Sequence, residues 1–320
     1  MNIKHHTWDI LDASKIQTFM RCERKFFFSY IMGWKPQGKS IHLIHGEAWH
    51  RAIEQILLHG YTKEGRWLGY EAYMNYYNQF YTKFQWEANQ PKDPGTTNVA
   101  LQSYINEYKN KDKDLEVIAT EVAGSIKITE EKSLHFRLDS IIRNQHGKII
   151  SLEHKTGTRN TKQWKDSWLM KTQIALYTHV LYTLYSPQEV YGIVVNGTFF
   201  YKSQAPANIR IPIKKDKNSM RVWLNHTLHR MNMIQWETDR LLSDDKPDND
   251  IMFSFPTNTE ACTDYGGCPF IDLCMTCPNP LKYVDKGQPP LGFEVEWWNP
   301  ADREEDATTI FKDGKLEKKK

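Results

Sequence analysis

The spacing of apolar residues changes period along this chain. Over residues 13–31 (ASKIQTFMRCERKFFFSYI), Ile16, Phe19, Met20, Phe27 and Tyr30 recur at helical intervals, with Ser14 read as the N-cap. Helical patterns continue over 45–59, closed by Gly60, over the aromatic stretch 66–90 and over 99–110, with PKDPGTTN at 91–98 as a loop. The period then shortens to two. Residues 115–128, 134–143 and 148–155 read as strands rich in β-branched residues, the last two joined by the turn sequence NQHG. Residues 164–185 return to helix, 190–201 to strand and 216–243 to helix. The segment 256–285 has little regular pattern, and the tail from 299, ending GKLEKKK, reads as solvated. The pattern predicts an α/β protein with a mixed central sheet flanked by helices. Its expected parts are a helical N-terminal region over 1–60, a helical insert over 61–114, a core over 115–245, a cysteine-rich segment over 246–285 and the tail 286–320.

Composition narrows the class. Of 320 residues, 40% are hydrophobic and 25% charged, which excludes a mainly disordered chain and any collagen-like repeat. No apolar run approaches the ~20 residues that span a bilayer. The start, MNIKHHTWDI, lacks the basic-then-apolar design of a secretory signal, so the expectation is a cytoplasmic protein without a membrane partner. A net charge of +3 neither demands nor excludes nucleic acid. Aromatic residues reach 13%, most of them expected in the core and some available to stack on unpaired bases.

The turn near His146 sets a register that puts Asp139 across from Glu153, give or take one residue. Alternation along a strand then gives Glu153 and Lys155 one face and turns His154 to the other. Two carboxylates directly opposite destabilise a sheet unless something compensates, and a divalent cation with oxygen ligands, Mg²⁺ or Mn²⁺, would do so. On the following helix, Gln173 and Tyr177 are four residues apart and share a face that could lie over this surface.

Five cysteines make a second constellation: Cys22 alone near the start, and Cys262, Cys268, Cys274 and Cys277 within 16 residues. In a reducing compartment, clustered thiols point to metal rather than to disulfides. The spacing C-x5-C-x5-C-x2-C is compatible with Zn²⁺ or with an iron–sulfur cluster.

Together, Asp139, Glu153-x-Lys155 and Gln173-x-x-x-Tyr177, on strand–turn–strand–helix, resemble the PD-(D/E)XK nuclease superfamily, and within it the RecB-like branch. Gly46-Glu-Ala-Trp-His50 is similar to that branch's G-x-x-x-H motif, and Glu121 to its upstream acid. Asp139 follows Phe136-Arg137-Leu138, where the branch often carries a glycine ahead of the acid. The likeness covers roughly residues 14–280 and implies a restriction-endonuclease-like sheet. It also implies a Mg²⁺- or Mn²⁺-dependent DNA nuclease, with exonuclease or end-processing action and single-stranded DNA as the expected substrate. In that resemblance His50, Asp139, Glu153 and the His154 carbonyl hold metal, Lys155 orients water or neutralises the phosphoryl oxygens, Gln173 and Tyr177 position the strand, and Glu121 assists indirectly. Relatives that carry a [4Fe–4S] cluster take one cysteine from an early helix and three from near the C-terminus, matched here by Cys22, Cys262, Cys268 and Cys274, with Cys277 as the alternative to Cys262 and Zn²⁺ as the alternative cofactor. CRISPR-associated and phage exonucleases are among the similar proteins. The implied setting is recombination, repair or CRISPR/phage DNA processing in a bacterial or phage-infected cell. A rival expectation is a DNA-binding accessory subunit acting with a helicase, integrase or recombinase.

One motif points elsewhere. Gly33-Trp-Lys-Pro-Gln-Gly38-Lys39-Ser40 fits the P-loop pattern G-x-x-x-x-G-K-[ST] of an ATPase. A working P-loop follows a strand and opens a helix, and here a Trp and a Pro sit where backbone N–H groups must wrap phosphate.

Overall fold

A computed structural model describes residues 4–285 and 288–319; positions 286, 287 and 320 of the expected tail lie outside the described residues. The chain forms two compact units. One comprises Met1–Gly38, Ser125–Phe136 and Lys217–Arg303, the other Lys39–Gly124, Arg137–Asp216 and Glu304–Lys320. The principal helices are α1 (Ala13–Arg21), α2 (Ile41–His59), α3 (Lys63–Tyr77), α4 (Pro94–Tyr108), α5 (Thr172–Leu184) and α6 (Lys217–Ser243). The strands are β1 (Glu116–Lys127), β2 (Ser133–Arg143), β3 (Ile149–Gly157), β4 (Val190–Phe199), β5 (Ala207–Ile213), β6 (Thr309–Lys312) and β7 (Lys315–Lys318).

These strands make one mixed sheet in the order β5-β4-β3-β2-β1-β6-β7, flanked by helices, as the α/β expectation required. β2 and β3 form the expected antiparallel hairpin, with Ser140 opposite Leu152 and Ile142 opposite Ile150. β3 and β4 are parallel, pairing Glu153 with Val195 and Lys155 with Gly197, so α5 is a crossover helix between them. β5 closes one edge, where Pro212 opposite Val194 costs no needed ladder bond.

At the other edge the structure corrects the solvated-tail expectation. β6 runs parallel to β1, Val122 pairing with Thr309, and turns back into β7 through Asp313 and Gly314, both at positive φ (50° and 74°). An Asp-Gly pair suits the tight hairpin turn that such angles make. The alternate residues Thr309 and Phe311 are buried, and Gly124 admits this strand closely: a Cβ there would meet the Phe311 carbonyl oxygen at 2.6 Å.

The helices of the second unit build a large apolar core. Trp49, Ala52, Ile53 and Ile56 of α2 pack with Tyr73 and Tyr77 of α3, with Leu101, Tyr104 and Tyr108 of α4, and with Ile142, Ile150, Leu152 and Val194 of the sheet. α4 starts five residues before its expected position because Asp93 caps it, accepting from the N–H groups of Gly95 (2.8 Å) and Thr96 (3.1 Å), with Pro94 in its first turn.

In the first unit the N-cap of α1 is Asp12 rather than Ser14; its carboxylate accepts from the Lys15 N–H at 2.7 Å. The helix expected to continue to 31 breaks at Cys22, whose backbone is extended (φ −161°), before a short turn at Glu23–Phe26 and a wider one at Phe27–Ile31. The break is held by Arg24, which donates to the carbonyls of Phe255 (2.8 Å) and Met252 (3.1 Å). Glu237 of α6 accepts in turn from the Phe255 N–H at 2.6 Å. The P-loop-like segment follows this helical turn and not a strand, and its Trp34–Pro36 stretch pairs antiparallel with Phe293–Val295. It therefore lacks the frame a phosphate-wrapping loop needs. Among the described residues no helix is long and apolar enough to cross a membrane.

Ile53 is 0% exposed at the centre of the second unit's core. Ile53→Ala should cost about 2–5 kcal/mol through lost burial and the cavity left behind. Urea unfolding should show a lower midpoint with an unchanged m value.

Candidate active site

β3 carries the residues nearest to chemistry. One step beyond the Ser140–Leu152 pair, towards the open end of the hairpin, lie Asp139 and Glu153. Strand alternation gives Glu153 and Lys155 a common side, and the Lys155 ammonium contacts Glu153 Oε1. Glu153 is 1% exposed. Gln173, in the first turn of α5, donates its side-chain amide to the same Glu153 oxygen at 2.9 Å and to the Tyr177 hydroxyl at 2.8 Å. The Tyr177 hydroxyl donates a hydrogen bond to the Arg137 carbonyl, so the crossover helix is tied to both strands of the hairpin. The other Glu153 oxygen, Oε2, is buried and has no hydrogen-bond partner among the described residues. Such an orphaned acceptor costs free energy unless a ligand satisfies it.

Asp139 is held on two sides. Its Oδ2 accepts from the His154 backbone N–H at 2.6 Å, and its Oδ1 lies 3.2 Å from His50 Nδ1. His50 projects from α2, so Gly46-x-x-x-His50 delivers its ring to the sheet. The His154 side chain turns to the opposite side and is buried, with Nδ1 3.5 Å from the Asn196 amide. Burial lowers its pKa to about 3, so this ring is neutral.

Glu121 reaches the same centre from β1. Its φ of +44° is a left-handed backbone at a residue with a Cβ, a conformation that costs ~1–3 kcal/mol and recurs at functional sites. Its carboxylate pairs with Arg137 Nε at 2.6 Å. His50, Glu121 and Asp139 each bring one ligand atom within 4.8 Å of the others. The sequence reading gave Glu121 an indirect part and grouped Glu153 with the ligands; the geometry puts Glu121 inside the three-atom group, while Glu153 engages Lys155 and Gln173. Arg137 was not singled out in the sequence, although its position two residues before Asp139 on one strand face marks it as a neighbour.

The electrostatics follow from burial of like charges. Desolvation raises the Glu121 pKa to about 7, with Asp139 adding to the shift and Arg137 opposing it. Desolvation, with Asp139 beside it, likewise raises Glu153 to about 7 against the pull of Lys155. Asp139 ionises well below the usual carboxylate range because His50 outweighs its burial, and His50 rises to about 9 because Asp139 outweighs its own. The donor set is thus two carboxylates and an imidazole, with a third carboxylate oxygen unsatisfied beside them. It suits a divalent cation.

The thiols lie in the first unit. Cys22 Sγ accepts from the Asn258 N–H at 3.4 Å, and the Cys268 N–H donates to the Cys262 carbonyl at 2.8 Å. Burial raises the Cys274 thiol to about 11, with Cys22, Cys268 and Cys262 adding to the shift and Arg24 opposing it. Cys277 directs its thiol to the Asn279 carbonyl at 3.3 Å. All five are free, and among the described residues no three of their sulfurs come within 4.8 Å of one another.

Comparison with known proteins places the chain. The family model for the PD-(D/E)XK nuclease superfamily matches residues 11–275. Among solved structures, the chain is similar to a protein from Eubacterium rectale described as a candidate exonuclease, at 14% identity and a TM-score of 0.42, over 74% of this chain and 81% of that one. It is also similar to a protein designated SSO0001, at 13% identity and a TM-score of 0.29, over 71% and 78%. No curated protein matches the chain.

The His50–Asp139 pair makes the metal-free protein sensitive to alkali. His50 binds its proton more tightly when folded, with a pKa of about 9 against an ordinary 6.5. Its stabilising contribution is therefore complete below pH ~6.5 and lost as pH rises through ~9. Urea midpoints of metal-free protein should fall over that window, and His50→Asn should flatten the fall. Parallel curves for the two proteins would remove the linkage.

Proposed function

The chain belongs to the PD-(D/E)XK nuclease superfamily, and from that premise we propose that it is a Mg²⁺- or Mn²⁺-dependent deoxyribonuclease that processes DNA ends and acts on single strands. The observation that carries this reading is the convergence of His50, Glu121 and Asp139 within 4.8 Å, beside a buried Glu153 that engages Lys155. The resemblance of Gly46-x-x-x-His50 and Gln173-x-x-x-Tyr177 to the RecB-like branch supports the end-processing part. Work in recombination, repair or CRISPR/phage DNA processing belongs to the same proposal.

In this mechanism His50, Asp139 and Glu121 would hold the cation, and Glu153, with its unsatisfied Oε2, and the His154 carbonyl would be further ligands. A bound divalent ion supplies Lewis acidity at the phosphate and acidifies water at neutral pH. The protein's own groups do the rest. Lys155, fixed by Glu153, positions the attacking water and offsets charge growing on the phosphoryl oxygens. Gln173 keeps Glu153 in one rotamer and, with Tyr177, borders the path of the strand. Arg137 holds Glu121 against the repulsion of Asp139.

The cysteines extend the proposal to a [4Fe–4S] cluster held by Cys22, Cys262, Cys268 and Cys274. Support comes from the three thiols that act on Cys274 and from the neighbouring Arg24 guanidinium, which would offset thiolate charge. Cys277, bonded to Asn279, is the spare thiol in this reading. The role is structural, joining Cys22 to the 262–274 segment.

Two experiments test these assignments. Lys155→Ala should keep its circular dichroism spectrum and lose at least ~100-fold in Mn²⁺-dependent release of acid-soluble nucleotides, the scale of removing one positioned electrostatic group. Undiminished cleavage would end the role assigned to Lys155. Protein purified without oxygen should contain iron; Cys262→Ala should lose it, whereas Cys277→Ala should retain it. Zinc in place of iron would replace the cluster with a tetrathiolate.

A further inference from the structure

Between β3 and α5 the chain reads GTRNTKQWKDSWLMK over 157–171, a segment with no part in the mechanism above. Its base is anchored. A Cβ on Gly197 would come within 2.5 Å of the Trp164 ring, so the bare backbone of β4 leaves the slot in which that indole sits. Trp164 packs edge-on against Phe199 (centroids 4.8 Å apart) and against Trp168 (5.5 Å). Trp168 is buried, with the Lys171 ammonium 3.9 Å from its ring centroid and that of Lys155 at 5.7 Å. Lys215 donates to the Leu169 carbonyl at 2.5 Å.

The backbone is thus held from several sides, yet its tip faces water: Met170 is 84% exposed and Leu169 43%. Ordering two apolar side chains without burying them brings no gain unless a ligand covers them. Arg159, Lys162 and Lys165 of the same segment are exposed and Lys171 follows the tip in sequence, against the single acid Asp166. The tip is also close to the chemistry. Gln173, bonded to Glu153, follows Met170 by three residues, a span of at most ~11 Å. That distance equals about three stacked nucleotide steps of ~3.4 Å.

The geometry points to residues 159–171 as the binding element for an unpaired DNA strand entering the site. Met170 and Leu169 contact the faces of bases next to the scissile phosphate, and the surrounding cations pair with backbone phosphates. Apolar Met and Leu side chains pack on base faces that a paired stack keeps covered. Lysine and arginine supply the attraction to phosphate that does not depend on sequence. Two exposed apolar side chains in a segment rich in exposed cations complement a polyanion with flat apolar faces. This inference rests on the nuclease reading and assigns its single-strand preference to particular residues.

The test compares Met170→Ser with Met170→Leu on a single-stranded oligonucleotide longer than the ~4–16 nucleotides of a typical single-strand site. Met170→Ser should raise KM about tenfold, with the change falling on KM rather than kcat, and Met170→Leu should restore it. In a Lys155→Ala background with Ca²⁺ in place of Mn²⁺, fluorescence anisotropy should show the same loss of affinity. Lys162→Ala and Lys165→Ala should each reduce the slope of log affinity against log salt by about 0.7. Wild-type KM and affinity in Met170→Ser would overturn the inference, as would a loss confined to duplex ends with single strands unaffected. If the wild-type protein cleaves no DNA, the nuclease reading falls, and the Ca²⁺ binding measurements still decide whether this element holds a strand.

Discussion

Glu121, Asp139 and Glu153 carry like charge and are largely withdrawn from water in one small space. Left alone they would repel one another and draw protons, and two of them do rise towards neutral pH. Each has a dedicated counter-charge: Arg137 for Glu121, His50 for Asp139 and Lys155 for Glu153. Those cations come from separate elements, so the second unit must bring α2, the β2–β3 hairpin and β1 together for each carboxylate to meet its counter-charge. The strained backbone of Glu121 lies within this same group of charges. Replacing part of this local neutralisation with a divalent ion costs little rearrangement, since the acids already face one another.

Much of this arrangement was legible in the sequence. The hairpin was readable because NQHG is a strong turn signal and a short turn dictates which residues face each other. From that register and the alternation of side chains, Asp139, Glu153 and Lys155 fall on one surface without any knowledge of the rest. His50 and Glu121 were visible through motif likeness rather than geometry, as nothing local says that α2 passes over the sheet. Arg137 escaped notice because an arginine on a strand is ordinary until its partner is known. The edge hairpin β6–β7 escaped for another reason: the basic ending GKLEKKK hid an Asp-Gly turn between alternating apolar residues, a signal that was present.

The break at Cys22 shows where periodicity misleads. Ile16, Phe19, Phe27 and Tyr30 fit one continuous helix, and all four positions are helical or close to it. The interruption comes from the segment around Phe255, whose carbonyl takes the Arg24 guanidinium and whose N–H is taken by Glu237. Tertiary hydrogen bonds of this kind override a local preference worth only tenths of a kcal/mol per residue. The result puts a cysteine in extended backbone at a helix end, where its sulfur meets the Asn258 N–H instead of packing along a helix face.

The topology also explains why the candidate strand-binding element lies beside Lys155. β3 and β4 are parallel neighbours, so the chain must leave the end of β3, cross one face of the sheet and re-enter at the start of β4. Whatever precedes the crossover helix therefore hangs at the carboxyl end of β3, where Glu153 and Lys155 have just been placed. Open α/β sheets bind their ligands at that end for the same reason. Here the connection spends fourteen residues, from Thr158 to Lys171, where a minimal βα loop needs only ~2–6. The surplus is not slack, because two tryptophans anchor it and Lys155 itself lies over one of them. A rearrangement of the tip must then be felt at Trp168, and through Trp168 at the Lys155 ammonium that lies over its ring.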